Sequence, residues 1–195
     1  MNKNVIEYYT NKIKEHGPNS QGVDWNGKDS QYLRFDILSN IFTDKSNFSL
    51  LDYGCGYGEL LAYLNVKNYK NIKYIGFDLS DEMLTQANKK HKEGHFINKI
   101  PNNFKVDYAL LSGTLHIKLE VDKEEWKNHI LNTLNHLNQI TKKGFSFNLL
   151  TSYSDEEYKK DRLYYILFYY SILYIDSTIS IIYYSSLLIY KKKKR

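Results

Sequence analysis

The stretch Leu50-Leu51-Asp52-Tyr53-Gly54-Cys55-Gly56-Tyr57-Gly58-Glu59-Leu60-Leu61 constrains the fold more than any other part of the chain. A short apolar run ends in an acid, glycine then occupies every second position, and apolar residues resume at helical spacing. That order predicts a strand, a tight loop and a helix. Gly54, Gly56 and Gly58 carry no Cβ, so the backbone there can take positive φ and offer its N–H groups to a ligand at the N-terminus of the helix. Twenty residues past Gly58, Ile72-Lys73-Tyr74-Ile75-Gly76-Phe77-Asp78 reads as a second apolar strand that also ends in an acid. In a βαβ unit, an acid so placed reaches the vicinal hydroxyls of a ribose.

Spacing separates two kinds of nucleotide ligand. The dinucleotide fingerprint is G-x-G-x-x-G, with its third glycine one turn into the helix, whereas the glycines here follow G-x-G-x-G. Asp52 would repel a pyrophosphate beside it and attract an ammonium group. With its preceding acid, Asp52-Tyr-Gly54-Cys-Gly56-Tyr-Gly58 resembles motif I of the class I S-adenosylmethionine-dependent methyltransferases. The resemblance covers residues 1 to about 160. It implies an α/β fold, a three-layer Rossmann-like sandwich on a mainly parallel sheet of strand order 3-2-1-4-5-7-6. The implied cofactor is S-adenosyl-L-methionine, and the implied reaction is displacement of its methyl group by an O, N or C nucleophile of an acceptor. Asp52, Gly54, Cys55, Gly56 and Gly58 would then meet the amino-acid end of the cofactor, and Asp78 with Leu79 its nucleoside end.

A chain of 195 residues suffices for one domain with a real core. The formal charge of +5 resides in the last five residues, Lys191 to Arg195, and the rest of the chain is balanced. A uniformly basic nucleic-acid surface is therefore not expected; with the methyltransferase resemblance goes the expectation of a small-molecule or sugar-like acceptor. The single cysteine, Cys55, permits no internal disulfide, suits a reducing cytoplasm, and reads as a small packed residue rather than a reactive thiol. The N-terminal ten residues lack the apolar core of an export signal, which also points to the cytoplasm. No metal is expected, and oligomeric state is left open.

Residues 1–45 read as N-terminal helices with a lid loop, 46–162 as the cofactor-binding core, and 163–195 as a low-complexity tail. A helix is expected over Val5 to Glu15, followed by the turn-rich loop His16 to Gly27, which carries Trp25 and suits a lid or substrate loop. The next helix starts at Asp29 or Ser30 with Tyr32, Leu33, Phe35, Ile37, Leu38, Ile41 and Phe42 as its apolar set. This N-terminal pattern is similar to a group of small bacterial methyltransferases. It implies that Arg34 pairs with the methionine carboxylate of the cofactor through two parallel hydrogen bonds, the alternative being a surface pair with Asp36.

Ser80 is a good N-cap for a helix running to about Lys92, and His95-Phe96-Ile97 reads as a third strand. Asn98 then stands where the family usually presents an aspartate to the adenine amino group. Val106 to Leu111 is the fourth strand, and Ser112-Gly113-Thr114-Leu115-His116 corresponds to the motif IV region, facing the transferred methyl group. His116 is the candidate general base, with His16, Asp24 and Glu120 as further candidates. Asp122 to Glu125 forms a capping box ahead of a stripe of Trp126, Ile130, Leu134, Leu137 and Ile140, closing at Lys142-Lys143-Gly144. His129 and His136 read as solvated. A fifth strand is expected over Phe145 to Leu150 and a further helix from Asp155.

From Leu163 the composition shifts to 8 Tyr, 7 Ile, 5 Leu and 5 Ser in 33 residues, with no Gly. Three readings are open: sixth and seventh strands as a hairpin around Asp176-Ser177, a membrane segment over Leu163 to Ile189, or a shifted reading frame of an A/T-rich gene. The last is preferred slightly over the hairpin, since the family's usual ending is not recognisable; Asp176 and eight tyrosines weigh against a membrane core. Two other functions stay open at this level: an inactive or cofactor-sensing relative with an altered C-terminus, and a dinucleotide-dependent oxidoreductase.

Overall fold

The computed structural model describes residues 3–149, 179–184 and 187–192. The Gly-rich stretch folds as the sequence predicts, with strand β1 at Ser49–Tyr53 and helix α3 at Glu59–Val66 on either side of the loop. Ahead of them lie helices α1, Lys3–His16, and α2, Lys28–Leu38, joined by a short 3₁₀ turn at Gln21–Val23. β2, Lys73–Phe77, leads into α4, Asp81–Lys90, and the short β3, His95–Ile97. β4, Val106–Leu111, α5, Lys123–Ile140, and β5, Thr141–Asn148, follow, and β6, Ile179–Tyr184, and β7, Leu187–Lys192, complete the sheet.

The sheet has the order β3-β2-β1-β4-β5-β7-β6. Its first five strands are parallel, and β7 runs antiparallel to both β5 and β6. Parallel strands between helical layers are buried on both faces, which is why β1 and β4 read as nearly continuous apolar runs. Alternation sorts those runs. Leu50, Tyr108 and Leu110 pack with Phe35 and Leu38 of α2 and Leu60 and Leu64 of α3, while Leu51, Ala109 and Leu111 meet Trp126, Ile130, Leu134 and Leu137 of α5. Strand order reverses between β1 and β4, successive strands being added outward on one side and then on the other, and a ligand crevice opens at such a switch point, outside the C-terminal strand ends.

Several expectations are corrected. β6 and β7 pair antiparallel with Tyr184 opposite Leu187, so the hairpin is not centred on Asp176-Ser177, which lie outside the described residues, as does the helix expected from Asp155. Of the three tail readings, a hairpin on the sheet is the arrangement seen, with Phe145 opposite Tyr190. Among the described residues no helix is long and apolar enough to cross a membrane. Leu33 is 57% exposed, because α2 buries the face of Gln31, Phe35 and Leu38, and Leu33 projects away from it. Ile41 is buried from a 3₁₀ turn after α2 rather than from the helix itself. α5 passes directly into β5 at Thr141, so Lys142, Lys143 and Gly144 belong to a strand and not to a helix cap. Asp122 does cap α5, accepting from the N–H groups of Glu124 at 2.8 Å and Glu125 at 3.4 Å. His129 is half-buried with its ring 5.1 Å from that of Trp126.

Candidate functional site

The loop from Gly54 to Gly58 closes over the end of β2. Its three glycines have positive φ, 79°, 52° and 83°. The N–H groups of Gly54 and Cys55 both donate to Phe77 O, at 2.7 and 3.0 Å, that of Gly58 donates to Cys55 O, and that of Gly56 donates to Asp78 Oδ2 at 2.9 Å. The sequence suggests N–H groups held open for a ligand; three of these four are spent on stapling the loop to the end of β2 and the fourth on closing the loop on itself. Glycine is required for the bend more than for bare donors. A Cβ on Gly58 would lie 2.9 Å from His91 Cδ2 and 3.1 Å from Phe96 Cζ. Gly58→Ala should therefore cost about 2 kcal/mol, from left-handed strain and overpacking together; an unchanged urea midpoint would refute the packing argument.

Two acids flank this loop. Asp52 is 3% exposed and accepts the Tyr74 hydroxyl on Oδ2 at 2.7 Å. Burial pushes its carboxyl up to about 7, the Tyr74 bond opposes that rise, and the neighbouring Asp78 adds to it. Asp78 receives N–H bonds from Gly56 on Oδ2 and Ser80 on Oδ1, both at 2.9 Å. Burial raises its pKa too, against the pull of those backbone donors. Cys55 is buried, its thiol pushed well up by the same desolvation, which fits a packed residue.

Beside them lies an open cleft of about 860 Å³, part of it open to solvent. Its floor is the Gly-rich loop with Asp52, Asp78 and Leu79, and Ser112, Gly113 and Thr114 form the β4 side. The N-terminal elements make the opposite wall with Tyr9, Val23, Trp25, Gln31 and Phe35. Thr10 Oγ1 lies 2.8 Å from Ser80 Oγ, which ties α1 to the start of α4. Trp25 reaches Gly113 so closely that a Cβ there would sit 3.4 Å from the indole. The expected lid loop thus lines the cleft. Asp24, a candidate base, is engaged instead in holding that loop: its carboxylate accepts the Tyr8 hydroxyl and pairs with Lys12 at 3.1 Å.

Three acids and no lysine, arginine or histidine line the cleft among the described residues. One of the acids, Glu59, is neutralised by Lys90 at 2.5 Å and Lys28 at 3.7 Å. The other two, Asp52 and Asp78, leave the floor suited to a cation and to hydroxyl donors.

The remaining predicted residues divide. Ser112 and Gly113 are in the cleft wall, the Gly113 N–H donating to Asn148 Oδ1 at 2.8 Å and Ser112 Oγ buried without a partner among the described residues. His116 is not a lining residue; its Nε2 lies 3.2 Å from Asn148 O at the end of β5. Arg34 does not line the cleft either, since Gln31 and Phe35 hold the inward positions of α2. Asn98 is exposed and donates to Asp81 at 3.3 Å. His16 lies outside the lining, 3.7 Å from Glu15, and Glu120 is exposed. Sequence reasoning missed Gln31, which accepts from the Tyr57 hydroxyl at 3.3 Å, and Tyr74 and Asn148. A signal for Tyr74 existed: strand alternation puts Tyr74, Gly76 and Asp78 on the parity of Asp52, which pairs with Gly76. Among the described residues no cluster of three or more potential ligands could hold a metal ion.

Comparison with known proteins gives concordant matches. The family described as "Methyltransferase domain" matches residues 44–143. A Mycobacterium tuberculosis protein named "Putative methyltransferase Rv1506c" is 41% identical over 121 residues, covering 60% of this chain and 72% of that protein. Among solved structures, DesVI of Streptomyces venezuelae superposes with a TM-score of 0.59 at 12% identity over 83% of this chain and 90% of that one. An S-adenosylmethionine-dependent methyltransferase from Aquifex aeolicus gives 0.58 at 17% over 93% and 97%. At such identities these two structures attest to the shared fold.

Proposed function

The chain belongs to the class I S-adenosylmethionine-dependent methyltransferases, and on that premise we propose that the cleft binds S-adenosyl-L-methionine and directs its methyl group to a small-molecule acceptor entering between the lid and the β4 end. The observation that carries this reading is the pair of acids on the cleft floor, Asp52 buried and Asp78 half-buried, with no cation lining the cleft among the described residues. Asp52 would meet the ammonium end of the cofactor and Asp78 the ribose hydroxyls. Gly54, Cys55, Gly56 and Gly58 supply the close backbone floor, and Leu79 flanks the nucleoside.

When bound, S-adenosylmethionine supplies a methyl group on a cationic sulfonium. The chain's part is alignment and exclusion of water. Trp25, Val23 and Tyr9 cover the site from the lid side, and Ser112, Gly113 and Thr114 bound the place where an acceptor atom must arrive. For well-oriented partners alignment alone is worth effective molarities of ~10⁵–10⁸ M, so the reaction needs no strong base. We assign His116 to bracing the β4 loop against Asn148 rather than to proton transfer, and Gln31 rather than Arg34 to the methionine carboxylate. Residues 1–45 act as the cap and 46–162 as the cofactor-binding core.

A dinucleotide fits less well. Asp52 and Asp78 would face its pyrophosphate, and the four loop N–H groups it would need are already bonded within the protein. Calorimetric titration tests the choice. S-adenosylhomocysteine, the product, should bind in the micromolar range and NADH should not; the reverse order of affinities would overturn the reading.

A further inference from the structure

Beneath the Gly-rich loop lies a group of four titratable side chains: Asp52 at the end of β1, Cys55 in the loop, Tyr74 in β2 and Asp78 just after it. No cation offsets them from the cleft lining among the described residues. Each acts electrostatically on at least one of the others, and no further charged group is felt at Asp52 than Asp78. Only one member of the group bonds to Asp52. Tyr74, 6% exposed, donates its hydroxyl to Oδ2 at 2.7 Å, while no hydrogen bond engages Oδ1 among the described residues. Asp52 nevertheless lines the cleft.

We propose that Tyr74 is a positioning residue for cofactor binding, its hydroxyl anchoring one oxygen of Asp52 so that the carboxylate is held, charged, toward the ligand's cationic end. This role rests on the cofactor reading above. Chemically, a phenol O–H donated to a carboxylate favours the ionised form, and no other group among the described residues does so at Asp52: burial and Asp78 both oppose ionisation. Tyr74 cannot take the charge itself, since burial and Asp52 together push its own pKa well above the ordinary tyrosine value. The pair therefore has a fixed polarity, with Tyr74 the donor and Asp52 the acceptor. Tyr74 touches no ligand position, because it is not in the cleft lining. It acts through Asp52.

Tyr74→Phe removes one oxygen from a packed ring and keeps the rest. Without the hydroxyl, Asp52 holds its proton to higher pH, so a cationic ligand is penalised most where the carboxylate is already partly protonated. Affinity of Tyr74→Phe for S-adenosylhomocysteine should fall about tenfold near pH 6, the value of one hydrogen bond to a charged group, and the gap should narrow above about pH 8. Asp52→Asn, measured with either residue at 74, should give a flat profile apart from the ligand's own titration. A merely structural Tyr74 would lower affinity by the same factor at every pH. Identical profiles, or a gap constant with pH, overturn the role of Tyr74 alone.

A second measurement needs no ligand. Carbonyl-¹³C NMR of the unliganded protein should show the Asp52 titration midpoint move upward in Tyr74→Phe; an unmoved midpoint overturns the role as well. Failure of the unchanged protein to bind S-adenosylhomocysteine at any pH would overturn the cofactor reading and, with it, this one.

Discussion

Asp78→Ala should lower the affinity for S-adenosylhomocysteine about 100-fold while leaving the protein folded. Two contributions add. On the proposed reading the carboxylate accepts two ribose hydroxyls, and a hydrogen bond to a charged partner is worth roughly 1.5–3 kcal/mol, so losing even the weaker value twice approaches two decades in Kd. It is also the acceptor for the Gly56 and Ser80 N–H groups, so alanine frees the middle of the Gly-rich loop as well as removing the ligand contact. Asp78→Asn separates the two effects. Its one amide oxygen can keep either the Gly56 or the Ser80 bond, and its amide can still meet a hydroxyl, so an intermediate loss is expected. Calorimetry with a parallel melting curve decides the matter: binding by Asp78→Ala equal to that of the unchanged protein would remove Asp78 from the site, whereas equal losses in all variants with a collapsed melting temperature would make its role structural.

The parts of the site legible in the sequence are those that a local backbone pattern dictates. An acid, three alternating glycines and a second acid at a strand end are short-range features, and the chain folds them where the pattern says. Side-chain direction on a helix is less local. The family resemblance implies an inward role for Arg34 and apolar type one for Leu33, but α2 turns Gln31, Phe35 and Leu38 to the core, and a helix has only one such face. The hydrogen-bond accounting of the loop was equally invisible. The glycines announce free backbone, yet Phe77 O and Asp78 claim the N–H groups, because a buried donor must find a partner and β2 is the nearest strand. Tyr74 escaped notice since a tyrosine in a buried strand reads as core until the partner strand's register is known. The position of Asp52 opposite Gly76 and of Leu50 opposite Tyr74 supplies that register. Composition misled most in the tail, where tyrosine and isoleucine runs carry no turn signal and the hairpin is not centred on the expected Asp176-Ser177.

Asp52→Asn should stabilise the unliganded protein and cripple its ligand binding at once. The folded-state carboxyl titrates at about 7 against an ordinary value of 3.8. Between those limits the folded chain holds a proton that the unfolded chain releases, so stability falls as pH rises from about 4 to about 7. Each unit of pKa corresponds to about 1.4 kcal/mol, which makes the acid cost roughly 4 kcal/mol near pH 8 in a site that is nearly all desolvated. Asparagine does not titrate, and its amide oxygen can still accept from Tyr74. At about pH 8 the variant should therefore melt roughly 8–16 °C higher than the unchanged protein, for a domain of this size, and the two should converge near pH 4. Asp36 and Asp107 do not confuse the comparison. Their pKa values are lowered, by Lys67 and Tyr63 in one case and by Ser49 in the other, so their contributions are lost only below the usual carboxylate range, and both proteins carry them. Asp78, whose pKa is raised, is likewise common to both. Saturating S-adenosylhomocysteine should reverse the order at pH 8, because an ammonium beside the carboxylate repays its desolvation in the unchanged protein and has no charge to meet in the variant. Binding should then release a proton below pH 7, visible as a calorimetric enthalpy that depends on the buffer's own ionisation heat. Parallel stability curves for the two proteins from pH 4 to 8 would mean that Asp52 ionises as it does in water, and the cleft floor would lose the uncompensated charge that selects a cation.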